Sequence, residues 1–87
     1  MTRDAIATDE LAVPVGPFSL GVRGGGLLFL SGQVAQDPAT GRLMAGDVVR
    51  QTHQILDNIA TALETVGKSL DDVLRVGVYL TDISDLQ

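Results

Sequence analysis

The sequence predicts a small domain in which one long amphipathic helix packs against one face of a β-sheet. Three observations predict it: two apolar segments joined by a glycine run, a long segment with helical spacing of its apolar side chains, and a later apolar segment with alternating spacing. With 87 residues the chain can form one domain at most. A chain of this length buries only about 60–65% of its unfolded surface, so the core that it can build by itself is thin.

The first part of the chain is expected to form an irregular or edge segment followed by a β-hairpin. A turn rich in proline and glycine, residues 14–17, precedes a short apolar segment at residues 18–22. Arg23-Gly-Gly-Gly26 then leads into LLFLSGQVA, and two apolar runs joined by glycines are typical of a hairpin. The glycine run does not indicate a phosphate-binding loop, because such a loop opens a helix and here a strand follows.

The clearest predicted element is a helix from about Asp47 to Val66, after a turn at residues 37–41 (D-P-A-T-G). Asp47 is a suitable N-cap, and Gly67 lies where a left-handed residue commonly ends a helix. The polar side chains fall on the face opposite one broad apolar stripe, so the helix is expected to pack on a sheet and to expose its other face. The stripe comprises Val48, Val49, Thr52, Ile55, Leu56, Ile59, Ala62, Leu63 and Val66.

The segment VLRVGVYL, residues 73–80, predicts a third long strand. Leu74, Val76, Val78 and Leu80 alternate along it and are expected to meet the helix. The opposite face also carries apolar side chains, and a single helix can cover only one face of a sheet. Another subunit is therefore the natural candidate to cover the second face.

The last residues have the form of a capping box. Ser84 could accept a hydrogen bond from a free helix N–H, and Gln87 could reach back to the N-cap backbone. This pattern predicts that a further helix begins here.

Composition excludes several functional classes. The net charge is −5 and the six Lys and Arg residues are scattered, so nucleic acid is not an expected partner. The chain has no cysteine, which excludes disulfides and thiolate chemistry. No run approaches membrane-spanning length and the N-terminus does not resemble a signal peptide, so we expect a cytoplasmic protein without a membrane partner.

The residues with chemical potential do not form a complete active site. His53 is the only histidine and falls on the polar helix face, which provides neither a metal site nor a base for a Ser31 nucleophile. Ser31-Gly32 interrupts an apolar strand, and a glycine there indicates either close approach of a ligand or backbone, or a β-bulge. The adjacent carboxylates Asp71 and Asp72 are expected to cap a turn and face solvent.

Several short motifs occur together in a specific order. They are G-P, S-G-Q, D-P-x-T-G, Q-T-x-x-x-L-x-N and V-Y-L-T-D, and they extend from about Val15 to the end of the chain. In this order and spacing the chain resembles the RidA (YjgF) family. The resemblance implies an α+β fold of the chorismate-mutase-like type, with helices packed on one face of a mixed sheet. It also implies a homotrimer with ligand clefts between subunits.

The best-known members of that family are enamine/imine deaminases, so the resemblance implies hydrolysis of 2-iminoacids to 2-ketoacids and ammonia without a metal or other cofactor. The alternative is a RidA-like protein that binds small metabolites without turnover. By position, Phe18 matches an aromatic residue of the cleft that is often tyrosine, and Ser31 and Gly32 match its wall. These three are the expected substrate-binding residues.

The catalytic arginine and glutamate implied by the resemblance lie beyond the V-Y-L-T-D strand and the following helix. No catalytic residue is therefore expected within the chain. We expect residues 1–87 to form a single RidA-like domain, truncated at its C-terminal end, that has no useful deaminase activity alone.

Overall fold

A computed structural model describes residues 4–12 and 19–86. Within these residues, three strands are followed along the chain by one α-helix and two short 3₁₀ helices. None of the helices in these two ranges is long and apolar enough to cross a bilayer. The elements are strands β1 (Asp4–Ile6), β2 (Gly21–Gly24) and β3 (Leu27–Leu30), helix α1 (Val48–Glu64), and two short 3₁₀ helices at Leu70–Asp72 and Ile83–Leu86.

The predicted hairpin is confirmed. Strands β2 and β3 are antiparallel, with Gly24 opposite Leu27, so only Gly25 and Gly26 form the turn. Both turn residues have positive φ angles, 58° and 77°, as the tight type I′ hairpin turn requires. The predicted loop was too long by two residues, because Arg23 and Gly24 lie within β2 and pair with Leu28 and Leu27.

The predicted edge segment is confirmed as strand β1, which completes a sheet of order β1-β2-β3. Ile6 lies opposite Gly21 and is buried. A Cβ atom on Gly21 would lie 2.8 Å from Leu30 Cδ2 and 3.1 Å from Ile6 Cδ1. Gly21 therefore lets these two apolar side chains pack closely over the middle strand.

The segment LLFLSGQVA forms a strand only in its first half. The ladder ends at Leu30, although the Ser31 N–H still donates to the Leu20 carbonyl oxygen at 3.0 Å. Gln36 and Leu43 form an isolated antiparallel bridge at the base of the 37–41 turn. The Asp37 carboxylate accepts from the Ala39 N–H at 2.7 Å, which confirms the turn that the sequence predicts.

The capping residues at both ends of α1 follow the sequence prediction, although the helix ends at Glu64, two residues before the predicted Val66. The Asp47 carboxylate accepts from the Arg50 N–H at 2.9 Å and so caps the helix. At the other end the Lys68 N–H donates to the Leu63 oxygen at 2.8 Å, while Gly67, with φ of 72°, donates to the Glu64 oxygen at 3.0 Å. These bonds satisfy the last helical carbonyl groups in a Schellman arrangement.

The side of α1 that packs on the chain is narrower than the predicted stripe. Asn58, Ala62 and Leu63 are buried, whereas Ile55 and Ile59 are half-buried. Leu56 is exposed, and so are other stripe residues that lie nearer the N-terminal end of α1. The described residues therefore cover mainly the C-terminal half of the stripe.

The predicted third strand is wrong for the described chain. Residues 73–80 have no strand pairing, and Leu74 and Val78 are 87% and 70% exposed instead of facing α1. An extended segment becomes a strand only when a neighbour supplies N–H and C=O partners. The sheet of β1, β2 and β3 places no strand beside it within the described residues.

The C-terminal cap also differs from the prediction. A 3₁₀ helix does begin, but Asp82 is the capping residue: its carboxylate accepts from the Ser84 N–H at 3.0 Å and from the Ser84 hydroxyl at 2.7 Å. Ser84 lies inside Ile83–Leu86. The aspartate two residues earlier provides the cap instead, because its charged carboxylate accepts from the Ser84 N–H and so starts the helix before Ser84. Gln87 lies outside the described residues.

Candidate functional site

Ser31 lies just past the end of β3 and is fixed by the chain before it. Its hydroxyl donates to the Ser19 carbonyl oxygen and its N–H donates to the Leu20 carbonyl oxygen. The side chain is half-buried. Since both donors are used, the hydroxyl oxygen remains as an acceptor held in one place. It can accept a hydrogen bond from a ligand N–H or from a water molecule.

Gly32 follows Ser31 and is exposed. A Cβ atom at this position would meet no heavy atom within 4 Å, and its φ angle is not in the left-handed region. Neither packing nor backbone conformation therefore requires glycine here. The paired ladder has already ended at Leu30, so Gly32 lies outside any ladder in which it could form a bulge.

Residues 31–36 form an irregular segment, called the 31–36 arch below. The Gln33 side-chain amide donates to the Ser31 carbonyl oxygen at 3.1 Å, and the Gln36 N–H donates to the Val34 carbonyl oxygen at 2.7 Å. Ala35 is buried and its oxygen accepts from the Met44 N–H at 2.7 Å. The arch is thus held at one end by residues 19–20, which precede β2, and at the other by residues 43–44.

Side-chain amides on α1 add a further connection that the sequence analysis missed. Asn58 is 4% exposed, and its Nδ2 donates to the Gln36 carbonyl oxygen at 2.7 Å. Its Oδ1 accepts from Gln54 Nε2 at 2.8 Å. Gln51 Nε2 donates to the Met44 oxygen at 3.2 Å. The Q-T-x-x-x-L-x-N spacing could have revealed them, because it puts Gln51 and Asn58 two helical turns apart on one face.

The other candidate residues do not join Ser31 and Gly32. Phe18 lies outside the described residues. His53 is exposed on α1, as predicted. Asp71 and Asp72 belong to a reciprocal cap, in which the Asp72 carboxylate accepts from the Ser69 N–H at 2.9 Å and the Ser69 hydroxyl accepts from the Asp71 N–H at 3.3 Å.

Within the part of the chain that the structure describes, acidic and histidine side chains do not gather into a metal site. Residues 4–12 and 19–86 contain no cluster of three or more potential metal-binding side chains. The polar groups around Ser31 are carbonyl and amide groups, which form hydrogen bonds and suit an organic ligand.

Two shallow depressions lie away from Ser31 and Gly32. One, of about 280 Å³, lies between the end of α1 and the first 3₁₀ helix and is lined by Ala60, Glu64, Ser69, Leu70 and Asp71. The other, of about 370 Å³, lies at the hairpin turn and carries the opposing charges of Asp4, Arg23 and Lys68. Both are open to solvent and carry charged side chains, whereas small-molecule pockets are usually enclosed clefts.

Much of the apolar surface is uncovered. Phe29 is 62% exposed and Tyr79 is 97% exposed, and other large apolar side chains are exposed with them. Exposed apolar surface of this extent is commonly an interaction site for protein, ligand or membrane. The members of this set are Leu27, Phe29, Val34, Leu43, Val49, Leu56, Leu70, Val73, Leu74, Val76, Val78, Tyr79, Ile83 and Leu86.

Solved structures share this fold. A RidA protein from an Antarctic Psychrobacter superposes with a TM-score of 0.88 at 38% identity, over 95% of this chain and 67% of its own. Yeast Mmf1 superposes with a TM-score of 0.90 over 98% of this chain and 67% of its own, and at 21% identity it supports the fold alone. The expected RidA-type α+β fold is confirmed.

Sequence relatives agree with the fold. A RutC family protein of Pyrococcus horikoshii is 43% identical over 83 residues, which are 95% of this chain and 66% of the relative. A RutC family protein of Saccharolobus solfataricus is 40% identical over 98% of this chain and 68% of its own length. The chain thus spans about two thirds of the length of these relatives. A family model described as endoribonuclease L-PSP matches residues 8–87, and the chain therefore belongs to this family, the RidA/YjgF family.

Proposed function

We propose that the protein containing this chain is an imine deaminase, a hydrolase that converts 2-iminoacids to 2-ketoacids and ammonia. Membership of the RidA family supports the reaction type. The observation that carries the proposal is that Ser31 and Gly32 are adjacent. The Ser31 hydroxyl oxygen is a fixed acceptor, and the surface at Gly32 beside it is open. The N–H of an imine substrate needs such an acceptor, and the substituents of the imine carbon need a surface that protein side chains do not block.

The chemistry requires water and proton transfer alone. Water adds to the imine carbon while the nitrogen takes up a proton, which gives a tetrahedral aminoalcohol. The hydroxyl proton is then transferred to the nitrogen, the C–N bond breaks, and ammonia leaves as the carbonyl of the 2-ketoacid forms. In this scheme the Ser31 oxygen accepts a hydrogen bond from the substrate N–H and fixes the imine plane toward the attacking water.

The remaining parts of the site are also proposals. Phe18 would line the cleft through its ring, and an arginine and a glutamate outside residues 1–87 would hold the substrate carboxylate and the water. We propose a homotrimer with the cleft between subunits, in the cytoplasm. The uncovered apolar side chains, Phe29 and Tyr79 among them, support burial against other copies.

Binding of a small metabolite without turnover is the second candidate. One sequence observation favours it: Phe18 lacks the hydroxyl of the tyrosine often found there, so one polar contact to ligand or water is missing. The family description names an endoribonuclease, but the net charge of −5 gives no basic surface for RNA.

The test measures 2-ketoacid and ammonia release by the full-length protein, with 2-iminoacid generated by a pyridoxal-phosphate dehydratase acting on serine or threonine. We expect faster release than with the dehydratase alone, and a loss of that gain in Ser31→Ala. The control is His53→Ala, an exposed change on α1 that should leave the gain intact.

The outcomes separate the candidates. Release at the rate of the dehydratase alone would reject the deaminase. If the full-length protein nevertheless bound 2-ketobutyrate, with NMR chemical-shift changes at the Ser31 and Gly32 amides, the proposed binding function would stand. Cleavage of RNA by the full-length protein, at the concentration used in the deaminase assay, would reject both candidate functions.

A further inference from the structure

The 31–36 arch is an unusual wall for a site, because it has no ladder of its own. Between the end of β3 at Leu30 and the bridge at Gln36, its backbone is not paired to a neighbouring strand. Irregular segments of this kind keep one conformation only where their ends are fixed. The position of Ser31 and Gly32 thus depends on what holds the two ends.

One end is held within the sheet. The Ser31 N–H and hydroxyl bind the Leu20 and Ser19 carbonyl oxygens, which precede β2. These bonds are local to the hairpin and would persist in any variant that keeps the hairpin folded.

The other end is held by residues 43–44, through the Met44 N–H bond to the Ala35 carbonyl oxygen and the Gln36–Leu43 bridge, and in addition from the helix. Asn58 Nδ2 donates to the Gln36 oxygen at 2.7 Å across 22 residues of sequence, and the side chain that makes this bond is 4% exposed. Asn58 Oδ1 accepts from Gln54 Nε2 at 2.8 Å, which orients the amide so that its N–H₂ group faces Gln36. A buried side-chain amide that loses its hydrogen-bond partner is costly, so this bond restrains the backbone at Gln36.

We infer that Asn58 is a positioning residue, which sets the far end of the 31–36 arch through the Gln36 carbonyl and thereby places Ser31 and Gly32 for the ligand. The inference rests on the proposed function. It assigns to a helix residue, remote in sequence from the arch, control over the shape of the site.

The test compares Asn58→Ala with Asn58→Gln and Ile59→Ala in the full-length protein. Ile59 is a half-buried neighbour on α1 that makes no hydrogen bond to the arch through its side chain, so Ile59→Ala removes packing alone. We expect Asn58→Ala to lower kcat/KM about 10- to 100-fold, mainly through kcat, as a small displacement of a reacting group does. Asn58→Gln, which keeps the donor on a longer side chain, should recover part of this loss.

A second readout does not depend on turnover. Amide hydrogen exchange at Gln36 and Met44 should become faster in Asn58→Ala than in Ile59→Ala at equal global stability. If the wild type has no deaminase activity, the proposed function fails, and affinity for 2-ketobutyrate then replaces kcat/KM in the same comparison.

Three results would overturn the inference. One is an Asn58→Ala protein with wild-type kinetics and wild-type binding. Another is an equal loss in Ile59→Ala, which would show that destabilisation alone explains the effect. The third is an absence of both turnover and 2-ketobutyrate binding in the wild type, because the arch would then have no ligand to position.

Discussion

The carboxylate of Asp82 accepts two hydrogen bonds from Ser84, one from the hydroxyl at 2.7 Å and one from the N–H at 3.0 Å. Asp82 is fully exposed, and these bonds, the hydroxyl first, lower the pKa of its carboxyl below the ordinary value of 3.8. The cap therefore stabilises the start of the Ile83–Leu86 helix above pH 3.8, and this contribution is lost as the pH falls through the lowered pKa.

We predict that Ser84→Ala raises the pKa of Asp82 toward its ordinary value, because the hydroxyl bond is lost while the N–H bond remains. The measurement is an NMR titration of the Asp82 side-chain carboxyl. Ser69→Ala is the matched control, since the Ser69 hydroxyl accepts from Asp71 and does not contact Asp82. An unchanged Asp82 pKa in Ser84→Ala would show that the hydroxyl bond is not formed in solution.

Leu63 carries much of the small core, since it is buried on α1 beside Ala62. We predict that Leu63→Ala lowers the free energy of unfolding by about 2–5 kcal/mol, as other large-to-small changes in cores do. Ile59→Ala should cost less, because Ile59 is only half-buried. The measurement is urea unfolding of the full-length protein, with exposed Glu64→Ala expected within about 0.5 kcal/mol of the wild type. A larger loss for Ile59 than for Leu63 would contradict the observed packing.

The local elements could be predicted from the sequence because neighbouring residues determine them. Asp47 and Gly67 bound α1 as predicted, and the turn at Gly25 and Gly26 needs only positive φ angles that glycine adopts freely. These features need no knowledge of distant parts of the chain.

Pairing across the chain could not be predicted in the same way. Alternation along residues 73–80 shows that two faces differ, but it does not show which strand would lie beside them. Asn58 was missed for a related reason: the Q-T-x-x-x-L-x-N spacing shows that Gln51 and Asn58 share a helix face, but it does not show that the partner of Asn58 is a carbonyl 22 residues away. The wall residues Ser31 and Gly32 came from the family resemblance, and their role stays a prediction.

Gly32 offers a way to separate ligand approach from folding. We predict that Gly32→Val keeps the unfolding free energy within about 0.5 kcal/mol of the wild type, because the added side chain meets open space, yet lowers kcat/KM by covering the surface beside Ser31. Gly26→Val should show the reverse pattern, since Gly26 has a φ of 77° that a β-branched residue does not tolerate. Normal kcat/KM in Gly32→Val would show that this glycine does not face the ligand.

Deaminase activity should not depend on a metal ion. The chain has a single histidine and no cysteine, and the proposed reaction needs only water and proton transfer. We predict that exhaustive dialysis against EDTA leaves kcat/KM of the full-length protein unchanged, once the coupling dehydratase is shown to tolerate the same treatment. A loss of activity restored by one divalent metal at stoichiometric occupancy would contradict this.

Tyr79 is the best position at which to test assembly, because it is 97% exposed and so contributes little to the fold of the single chain. We predict that Tyr79→Asp lowers the mass of the full-length protein in light scattering from trimer toward monomer, since an unpaired charge in an apolar interface is costly. His53→Asp, which adds a charge on the exposed face of α1, should leave the mass unchanged. Ala35 is unsuitable for this test although it lies in an apolar segment, because it is buried within the chain and a charge there would unfold it. A wild-type protein of monomer mass at micromolar concentration would remove the proposed trimer, and with it the cleft between subunits.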